Sequence, residues 1–235
     1  MQGLNIVDSL MQCHEGIHTG NVREKLFKKK KVRGDEKPLY IGAKNGDIIM
    51  NYFAKRSGWY VDYRKKLISK KKSEYASLRD ENIFQYPKIY ITRTGNPLKA
   101  FIDMDSYASN NFFSLQFKDY KRNTYENLAI VLCLINSRYA QYYIRRIIVP
   151  RIGNTFIETK IIHLLALPVP KINSSYKNEL LNKVNQIIKL KNKNIEANTS
   201  KLEREINIMV YKLYGLTKEE IKIVEGKVEE FDDGQ

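Results

Sequence analysis

The segment Leu167-Pro168-Val169-Pro170 divides the chain into two parts with different hydrophobic patterns. Before it, short apolar segments alternate with glycine-rich and charged turns, which is typical of short strands. After it there is no proline, and apolar residues recur at seven-residue intervals, at Leu181, Ile188, Ile195, Leu202, Met209 and Leu216. A narrow stripe of this period favours a long helix that packs against one partner helix. We therefore predict an α/β (α+β) fold, with a domain of small mixed strands over residues 1–170 and a long, coiled-coil-like docking helix over residues 171–216.

Two signals near the carboxyl end predict where the long helix stops. Gly215 is of the residue type that commonly follows the end of a helix. Thr217-Lys218-Glu219-Glu220 has the spacing of a capping box, in which the Thr and Glu side chains bond to backbone N–H groups at a helix start. We therefore predict a short helix through Val224 and an acidic tail, which together form a third unit over residues 217–235.

Residues 86–97 carry the clearest strand-and-turn signal of the first part. Ile89 and Ile91 alternate with Tyr90 and Thr92, the period of a half-buried strand, and Gly95-Asn96-Pro97 is a turn sequence. The turn offers three side chains suited to phosphates and base edges, namely Arg93, Thr94 and Asn96. From this segment alone, a hairpin with a polar tip and a nucleic-acid contact are equal alternatives.

The charge distribution favours a polyanionic partner. The chain has 41 Lys and Arg residues against 26 Asp and Glu residues, a formal net charge of +15. Seven of the acidic and two of the basic residues lie in residues 219–235, which leaves +20 on the preceding 218 residues. Such a charge indicates a polyanion such as nucleic acid. A membrane surface would also satisfy it, but the sequence has no basic amphipathic helix with an aromatic apolar face.

Cysteine usage and hydropathy predict a reduced, cytoplasmic protein. Cys13 and Cys133 lie far apart in apolar surroundings and indicate neither a metal-binding pair nor a disulfide framework. No uninterrupted apolar run reaches the roughly 18 residues that a membrane span needs, and we identify no signal peptide. We therefore expect no membrane partner.

The segment His14-Glu15-Gly16-Ile17-His18 matches the zinc-metalloprotease pattern His-Glu-x-x-His, in which one helix presents two ligands and a general base. Gly16 weakens a helix, Thr19-Gly20 ends it at once, and no third ligand follows at the spacing of the metzincins. Coincidence therefore explains the match better, and we rank a zinc metallopeptidase third among the possible functions.

Motifs for other catalytic chemistry are missing from the sequence. It contains no Gly-x-Gly and no Gly-x-x-x-x-Gly-Lys, the elements that cradle phosphates in dinucleotide-binding folds and ATPases. It also lacks the Asn- or Asp-Pro-Pro-aromatic element with which an amino-methyltransferase holds its target base. We therefore predict that this chain has no catalytic residues, no metal site and no cofactor of its own, and that it acts by binding.

Six segments in chain order carry a family resemblance. The first three are Gly16-Ile17-His18-Thr19-Gly20-Asn21, the strand segments within residues 38–63, and the stretch from Tyr86 to Pro97, with Asp103 and Asn110-Asn111 after it. The others are Leu134-Ile135-Asn136-Ser137-Arg138 with Tyr142-Tyr143, Leu167-Pro168-Val169-Pro170, and residues 205–226. Together they resemble the TaqI-like carboxy-terminal specificity domain of type II and IIG restriction–modification adenine-N6 methyltransferases, which is related to type I specificity subunits. The last segment departs from the pattern at Asn207, where aspartate is common.

The resemblance implies a bacterial target recognition domain that reads a short site in double-stranded DNA. It would position the duplex for a methyltransferase module, in cis or in trans, that flips an adenine and methylates its N6 from S-adenosylmethionine. A nuclease that uses Mg²⁺ is a possible further partner. The chain would then be either one domain of a larger methyltransferase and restriction enzyme or a separate specificity subunit.

Loop position and side-chain chemistry select the candidate DNA contacts. For base reading we predict Arg93, Thr94, Asn96, Arg151, Asn154 and Thr155. For phosphate binding we predict Lys28, Lys29, Lys30, Lys31, Arg33, Lys44, Arg56 and Lys65. The main alternative is a stand-alone DNA-binding protein without a methyltransferase, such as an anti-restriction protein.

Overall fold

The computed structural model describes residues 5–148 and 159–226. Its strands are β1 (Asn5–Ile6), β2 (Met11–Glu15), β3 (Phe27–Lys28), β4 (Lys37–Tyr40), β5 (Ile48–Ile49), β6 (Ala54–Lys55), β7 (Trp59–Val61), β8 (Lys88–Thr92), β9 (Ala100–Asp103), β10 (Tyr107–Ala108), β11 (Phe112–Phe117) and β12 (Pro168–Val169). Its helices are α1 (Val7–Leu10), α2 (Arg23–Leu26), α3 (Asn82–Gln85), α4 (Tyr125–Asn136), α5 (Arg138–Tyr142), α6 (Ile161–Leu165), α7 (Ser174–Lys193), α8 (Ser200–Tyr214) and α9 (Lys218–Val224). A π-helical turn, Tyr143–Ile148, continues α5. The predicted α+β class is confirmed.

Four antiparallel strands in the order β2-β11-β8-β9 form the central sheet. The strand predicted within residues 86–97 is β8, which pairs with β11 on one side and with β9 on the other. Its alternating pattern sends Ile89 and Ile91 into one hydrophobic cluster and Tyr90 into another. The alternation suggested a strand with one solvated face, but residues 88–91 are all buried because both faces of the sheet are covered.

The helix α4 covers one face of the central sheet, and α7 and α8 pack on α4. α4 is strongly apolar, and Leu132 on it is fully buried. α7 and α8 both contact α4, and Leu180, Ile187 and Ile206 are fully buried there. These helical residues share one hydrophobic cluster with Ile89 of the sheet. The helices after residue 170 therefore pack on the domain that precedes them.

A second, smaller sheet covers the opposite face of the central sheet. Its order is β10-β4-β7-β3, with β10 parallel to β4 and the other pairs antiparallel. The ring of Tyr40 on β4 lies between the sheets, 4.8 Å from the ring of Phe101 and 6.1 Å from that of Phe112, measured between centroids. Aromatic side chains therefore join the two sheets. The strands β5 and β6 pair as a separate hairpin.

The prediction of one long helix over residues 171–216 is wrong, because two helices, α7 and α8, occupy this segment. The side chain of Asn194 accepts a hydrogen bond from the backbone N–H of Glu196 (3.0 Å), and that of Asn198 accepts one from Ser200 (2.9 Å). Such local bonds compete with helical backbone bonds and turn the chain. The partner helix that the seven-residue stripe predicts is therefore found within the chain, since α7 and α8 contact each other.

The end of the helical part matches the prediction. Gly215 ends α8 in the left-handed region, with φ at 67°. The Thr217 hydroxyl accepts from the Glu220 N–H (3.2 Å), and the Glu220 carboxylate accepts from the Thr217 N–H (2.7 Å). This reciprocal pair confirms the capping box and starts α9, which runs through Val224. The predicted acidic tail lies outside the described residues after Gly226.

The proline-containing segment that divides the sequence pairs with the beginning of the described chain. Pro168 and Val169 form β12, which lies antiparallel to β1 with Val169 opposite Asn5 and Pro168 opposite Ile6. The N–H of Val7 donates to the carbonyl oxygen of Leu167 (2.8 Å). The segment therefore closes the strand-containing part of the chain before the helical part begins.

Candidate nucleic-acid interface

The first basic segment is a loop that a single carboxylate organises. The loop leaves β3 after Lys28 and crosses to β4 on the other side of β7. The Glu36 carboxylate accepts hydrogen bonds from the backbone N–H groups of Val32 (3.0 Å), Arg33 (2.9 Å) and Gly34 (2.9 Å). Burial raises the pKa of Glu36, but these backbone hydrogen bonds outweigh burial and lower the pKa to about 2. An ionised side chain therefore holds the loop in shape.

Most of the cations of this loop lie at the surface, and Arg33 also pairs with the carboxylate of Asp35 (3.5 Å). Lys29, Lys30, Lys31 and Arg33 are exposed, and Lys28 is half-buried. The Nζ of Lys29 lies 5.6 Å from the centre of the Trp59 ring, and the Nζ of Lys31 lies 5.4 Å from that of Tyr60. These cation–π contacts hold the two side chains close to β7 and leave their charges in place. Lys28 donates to the carbonyl oxygen of Glu24.

A second basic loop follows β7 and shares an open cavity with the first. It contains two short 3₁₀ turns, Lys65–Leu67 and Lys70–Lys72. Glu74 fixes it by accepting hydrogen bonds from the Ser69 N–H (3.0 Å) and from the Nζ of Lys25 (2.6 Å). The cavity has a volume of about 600 Å³, and its charged lining is Lys25, Lys28, Arg33, Arg64, Lys66, Lys72, Glu36 and Asp62. Cations therefore outnumber carboxylates six to two around this cavity.

Sequence reasoning found part of this cavity and missed the rest. Of the second loop, only Lys65 was predicted as a phosphate contact, and it is exposed. Lys66 and Lys72 line the cavity, and the signal for them was present in the lysine-rich run from residue 65 to residue 72. Lys25 and Arg64 had no such signal, because only the fold brings α2 and the segment after β7 together.

Lys44 and Arg56 lie on either side of the β5–β6 hairpin, which Asp47 anchors. The Asp47 carboxylate accepts hydrogen bonds of 2.6–2.8 Å from the backbone N–H groups of residues 41, 42 and 57. Lys44 is exposed. Arg56 is also exposed, but its guanidinium donates to the Ser106 hydroxyl (2.6 Å) and lies 5.9 Å from the centre of the Tyr40 ring. Arg56 is thus braced against the small sheet.

The β8–β9 turn carries three predicted base readers in two different environments. Thr94 and Asn96 are exposed. Arg93 joins a cluster around Glu15, in which the Glu15 carboxylate lies 3.6 Å from Nη1 of Arg93, 2.8 Å from Nη2 of Arg79 and 2.8 Å from Nε2 of His18. Burial raises the pKa of Glu15, but the His18 hydrogen bond and the two arginine charges outweigh burial and lower it. Arg93 therefore has a carboxylate partner within the fold.

The remaining base readers predicted from sequence, Arg151, Asn154 and Thr155, lie outside the described residues. The residues on both sides of this gap contact the β8–β9 turn. Nη1 of Arg145 donates to Oδ1 of Asn96, and the N–H of Thr159 donates to the carbonyl oxygen of Arg93 (3.2 Å). Arg145 and Thr159, which lie on opposite sides of residues 149–158 in the sequence, therefore both contact the turn that carries the other three predicted base readers.

The His14 to His18 segment does not form a metal-binding helix. His14 and Glu15 belong to β2, a strand paired along its length with β11. Gly16 is needed for packing, because a Cβ there would lie 2.1 Å from the carbonyl oxygen of Ser109. The zinc interpretation is therefore wrong, since it requires both histidines on one helix face. Across residues 5–148 and 159–226, no three His, Cys, Asp or Glu side chains are grouped so as to hold a metal ion.

The two cysteines are buried in the core. Cys13 and Cys133 are free, and burial raises the pKa of each thiol far above its usual value. A thiol that stays protonated is a poor nucleophile. In the part of the chain that the structure describes, no helix combines the length and apolarity needed to cross a bilayer.

Comparison with known proteins gives one family match. The model of the TaqI-like C-terminal specificity domain matches residues 41–169, which is more than half of the 235 residues. The matched range contains the β5–β6 hairpin, the second basic loop, the β8–β9 turn and α4. No curated protein matches the chain. The extent of the family match shows that the chain belongs to the TaqI-like C-terminal specificity domain family.

Proposed function

We propose that this chain recognises a short sequence in double-stranded DNA as the specificity domain of a restriction–modification system. Membership of the TaqI-like specificity family supports this function. The observation that carries the proposal is the cavity of about 600 Å³ between the two basic loops, where six cations face two carboxylates. Both carboxylates are already engaged, Glu36 by backbone N–H groups and Asp62 by Arg64. The phosphates of a duplex would therefore meet net positive charge.

The phosphate contacts that we propose comprise the predicted set and the cations that complete the cavity. The predicted set is Lys28, Lys29, Lys30, Lys31, Arg33, Lys44, Arg56 and Lys65, and the additions are Lys25, Arg64, Lys66 and Lys72. Because Glu36 and Asp47 already fix the backbone of their loops, little ordering is needed on binding. Phosphate contacts position the duplex and make affinity depend on salt.

Base reading is proposed for the β8–β9 turn and for three residues that lie outside the described part of the chain. Thr94 and Asn96 are exposed and carry hydroxyl and amide groups that suit base edges in the major groove. Arg151, Asn154 and Thr155 complete the proposed set. Arg93 is proposed as a reader of guanine, and its ion pair with Glu15 supports the competing role of bracing the turn.

Catalysis is proposed to belong to a partner module, in cis or in trans. That module would methylate adenine N6 with S-adenosylmethionine, and a Mg²⁺-dependent nuclease would be a further partner. Within this chain, we propose residues 1–170 as the DNA-reading part. Residues 171–216 and 217–235 would support it, since α7 and α8 pack on α4 behind the central sheet.

Selection from a random duplex library tests sequence recognition directly. The purified chain is incubated with duplexes that carry a randomised central segment, in the presence of excess competitor DNA, and bound molecules are sequenced over several rounds. We expect enrichment of one short consensus. Recovery of duplexes without any consensus, at an affinity equal to that of random DNA, would contradict sequence-specific recognition.

The methyltransferase partnership has its own test. Methylated adenines are mapped in a host that carries the complete locus and in the same host without it. We expect N6-methyladenine at the consensus selected by the purified chain. Consensus sites that remain unmethylated would favour the stand-alone DNA-binding role over a methyltransferase partner.

A further inference from the structure

The β8–β9 turn also borders a second polar cavity, through Asn96 and Pro97. It has a volume of about 630 Å³ and is lined by this turn, α5 with its π-helical continuation, α8 and the end of α9. The volume falls within the roughly 300–1,000 Å³ of typical small-molecule sites. It has no residue in common with the cavity between the basic loops, so the phosphate contacts proposed above do not account for it.

The wall of this cavity contains an acceptor and a donor that lack partners. Oδ1 of Asn51 and Nε of Arg145 are buried and have no hydrogen-bond partner in the structure. Among the described residues, only four buried side-chain nitrogen or oxygen atoms lack a partner, and these are two of them. A buried polar atom without a partner is destabilising, so it calls for an explanation such as a role in binding a ligand.

The backbone next to Asn51 is strained. Tyr52 adopts φ 67°, in the left-handed region that bulky side chains rarely occupy, and its side chain is buried. Its N–H donates to the carbonyl oxygen of Ala100 (2.8 Å), which holds this conformation against the central sheet. Tyr52 lies in the turn between β5 and β6, and strained residues of this kind are also enriched at functional sites. Here the turn places Asn51 in the cavity wall.

The charges around the cavity favour an anion. Arg138 and Arg145 both line the cavity, and Arg138 is exposed to solvent, where a ligand can reach it. The carboxylates of the lining have hydroxyl partners, because Glu203 accepts from Thr199 (2.6 Å) and Glu225 accepts from Tyr211 (3.1 Å). The half-buried ring of Tyr142 completes a set that offers guanidinium groups, an aromatic face and an amide acceptor.

We propose that this cavity is a nucleotide-binding site. Arg138 and Arg145 would bind the phosphate, and the ring of Tyr142 would stack on the base. Rotation of the Asn51 side chain into the cavity would bring its buried Oδ1 within hydrogen-bonding distance of an exocyclic amino group, which adenine, cytosine and guanine have and thymine lacks. The nucleotide is either free or belongs to DNA as an unpaired residue rotated out of the duplex. A nucleotide rotated out of DNA would require the DNA recognition proposed above. Asn96 connects the proposed base-reading turn with this cavity, because it belongs to both.

Two duplexes of one sequence test the site, one fully paired and one with a single unpaired adenosine in the middle. Their affinities for the wild-type chain and two variants are measured by fluorescence anisotropy. We expect the wild type to bind the bulged duplex about tenfold more tightly, the effect of one charged hydrogen bond or one stacked base. Arg138→Ala should remove this preference. Lys30→Ala removes the same charge outside the cavity. It should lower the affinity for both duplexes equally and leave the preference for the bulged duplex unchanged.

Free nucleotides distinguish the two sources and test the role of Asn51. We expect deoxyadenosine monophosphate to bind more tightly than thymidine monophosphate, and Asn51→Leu to abolish this difference. Saturable deoxyadenosine monophosphate binding that Arg138→Ala weakens, without a bulge preference, would support the site with a free nucleotide as its ligand. The mononucleotide measurements test the nucleotide site even if neither duplex binds. Failure of both duplexes to bind would contradict the proposed DNA recognition and not the nucleotide site. Equal binding of the two duplexes together with no binding of either mononucleotide would overturn the nucleotide site and leave DNA recognition standing.

Discussion

The two faces of the central sheet are covered in different ways. On one face, α4, α7 and α8 contribute mainly aliphatic side chains to a single cluster with the sheet. On the other face, the small sheet contributes aromatic rings, and carboxylates hold the loops around it. Glu36 and Asp47 alone accept hydrogen bonds from six backbone N–H groups.

This difference teaches which part of the chain supplies stability and which supplies geometry. Burial of aliphatic surface is favourable but non-directional, so the helical face mainly stabilises the fold. Hydrogen bonds are directional, so the carboxylates of the loop face mainly fix the positions of exposed cations. Substitutions on the helical face should therefore change stability, and those on the loop face should change DNA binding more than stability.

Leu132→Ala on the helical face should have the largest effect on stability. Leu132 is fully buried in α4, so the variant leaves a cavity and should lower the free energy of unfolding by about 2–5 kcal/mol. Urea unfolding measures this loss, and DNA affinity under native conditions should not change. A variant with wild-type stability and weakened DNA binding would reverse the roles assigned to the two faces.

Asp47→Asn should have a smaller effect on stability and a clear effect on binding. The carboxylate of Asp47 accepts from the N–H groups of residues 41, 42 and 57, and the amide of Asn keeps one acceptor oxygen but not the negative charge. We therefore expect the free energy of unfolding to fall by about 1.5–3 kcal/mol. DNA affinity should fall because Lys44 and Arg56 lose their fixed positions beside the hairpin. The exposed substitution Lys55→Gln on β6 is the control and should change stability by at most about 0.5 kcal/mol.

Arg93→Ala separates base reading from bracing at the β8–β9 turn. If Arg93 makes a bidentate contact with guanine, the variant should weaken binding to the selected consensus by about 1–3 kcal/mol and leave binding to random DNA unchanged. Fluorescence anisotropy with a consensus duplex and a random-sequence duplex measures the two affinities. An equal loss on both duplexes would reduce Arg93 to a phosphate contact. No loss on either duplex would favour the bracing role, in which Arg93 pairs with Glu15.

The pH dependence of the first basic loop should be the most local effect. Because the pKa of Glu36 is lowered to about 2 in the folded chain, its contribution to loop order is complete above the ordinary carboxyl pKa near 4.5 and is lost as the pH falls towards 2. Hydrogen exchange of the Val32, Arg33 and Gly34 amides should therefore report loosening in this pH window. Glu36→Gln should remove this pH dependence. Protection that is identical in the two proteins would show that Glu36 does not order the loop.

Local features of the fold could be predicted from the sequence, whereas its long-range contacts could not. The alternation of Ile89 and Ile91 predicts β8, and the spacing of Thr217 and Glu220 predicts the start of α9, because both signals come from neighbouring residues. The turn between α7 and α8 was missed because the side-chain bonds of Asn194 compete with a helical pattern that otherwise continues.

The candidate interface divides in the same way. Runs of exposed lysine are visible in the sequence, so most of the phosphate contacts that we propose could be named without the structure. The pairing of Arg79 and Arg93 with Glu15 was not, because it joins residues far apart in the chain through the sheet. The nucleotide-sized cavity was missed for the same reason, since Asn51 and Arg138 reach it from separate elements.

The salt dependence of DNA binding tests the central claim most directly, namely that the loop face binds the DNA backbone. Affinity for a duplex is measured from low to high salt for the wild type and for two variants with four Lys or Arg to Gln substitutions each. The loop-face variant changes Lys29, Lys30, Lys31 and Arg33, and the helical-face variant changes Lys189, Lys193, Lys201 and Lys212, all of them exposed.

The two variants lose the same net charge, so general electrostatic attraction changes equally. We predict that the slope of log affinity against log salt becomes shallower by about 0.9 for each phosphate contact removed in the loop-face variant. The helical-face variant should keep the wild-type slope. Equal slopes in the two variants, or a larger change in the helical-face variant, would contradict the assignment of DNA binding to the loop face.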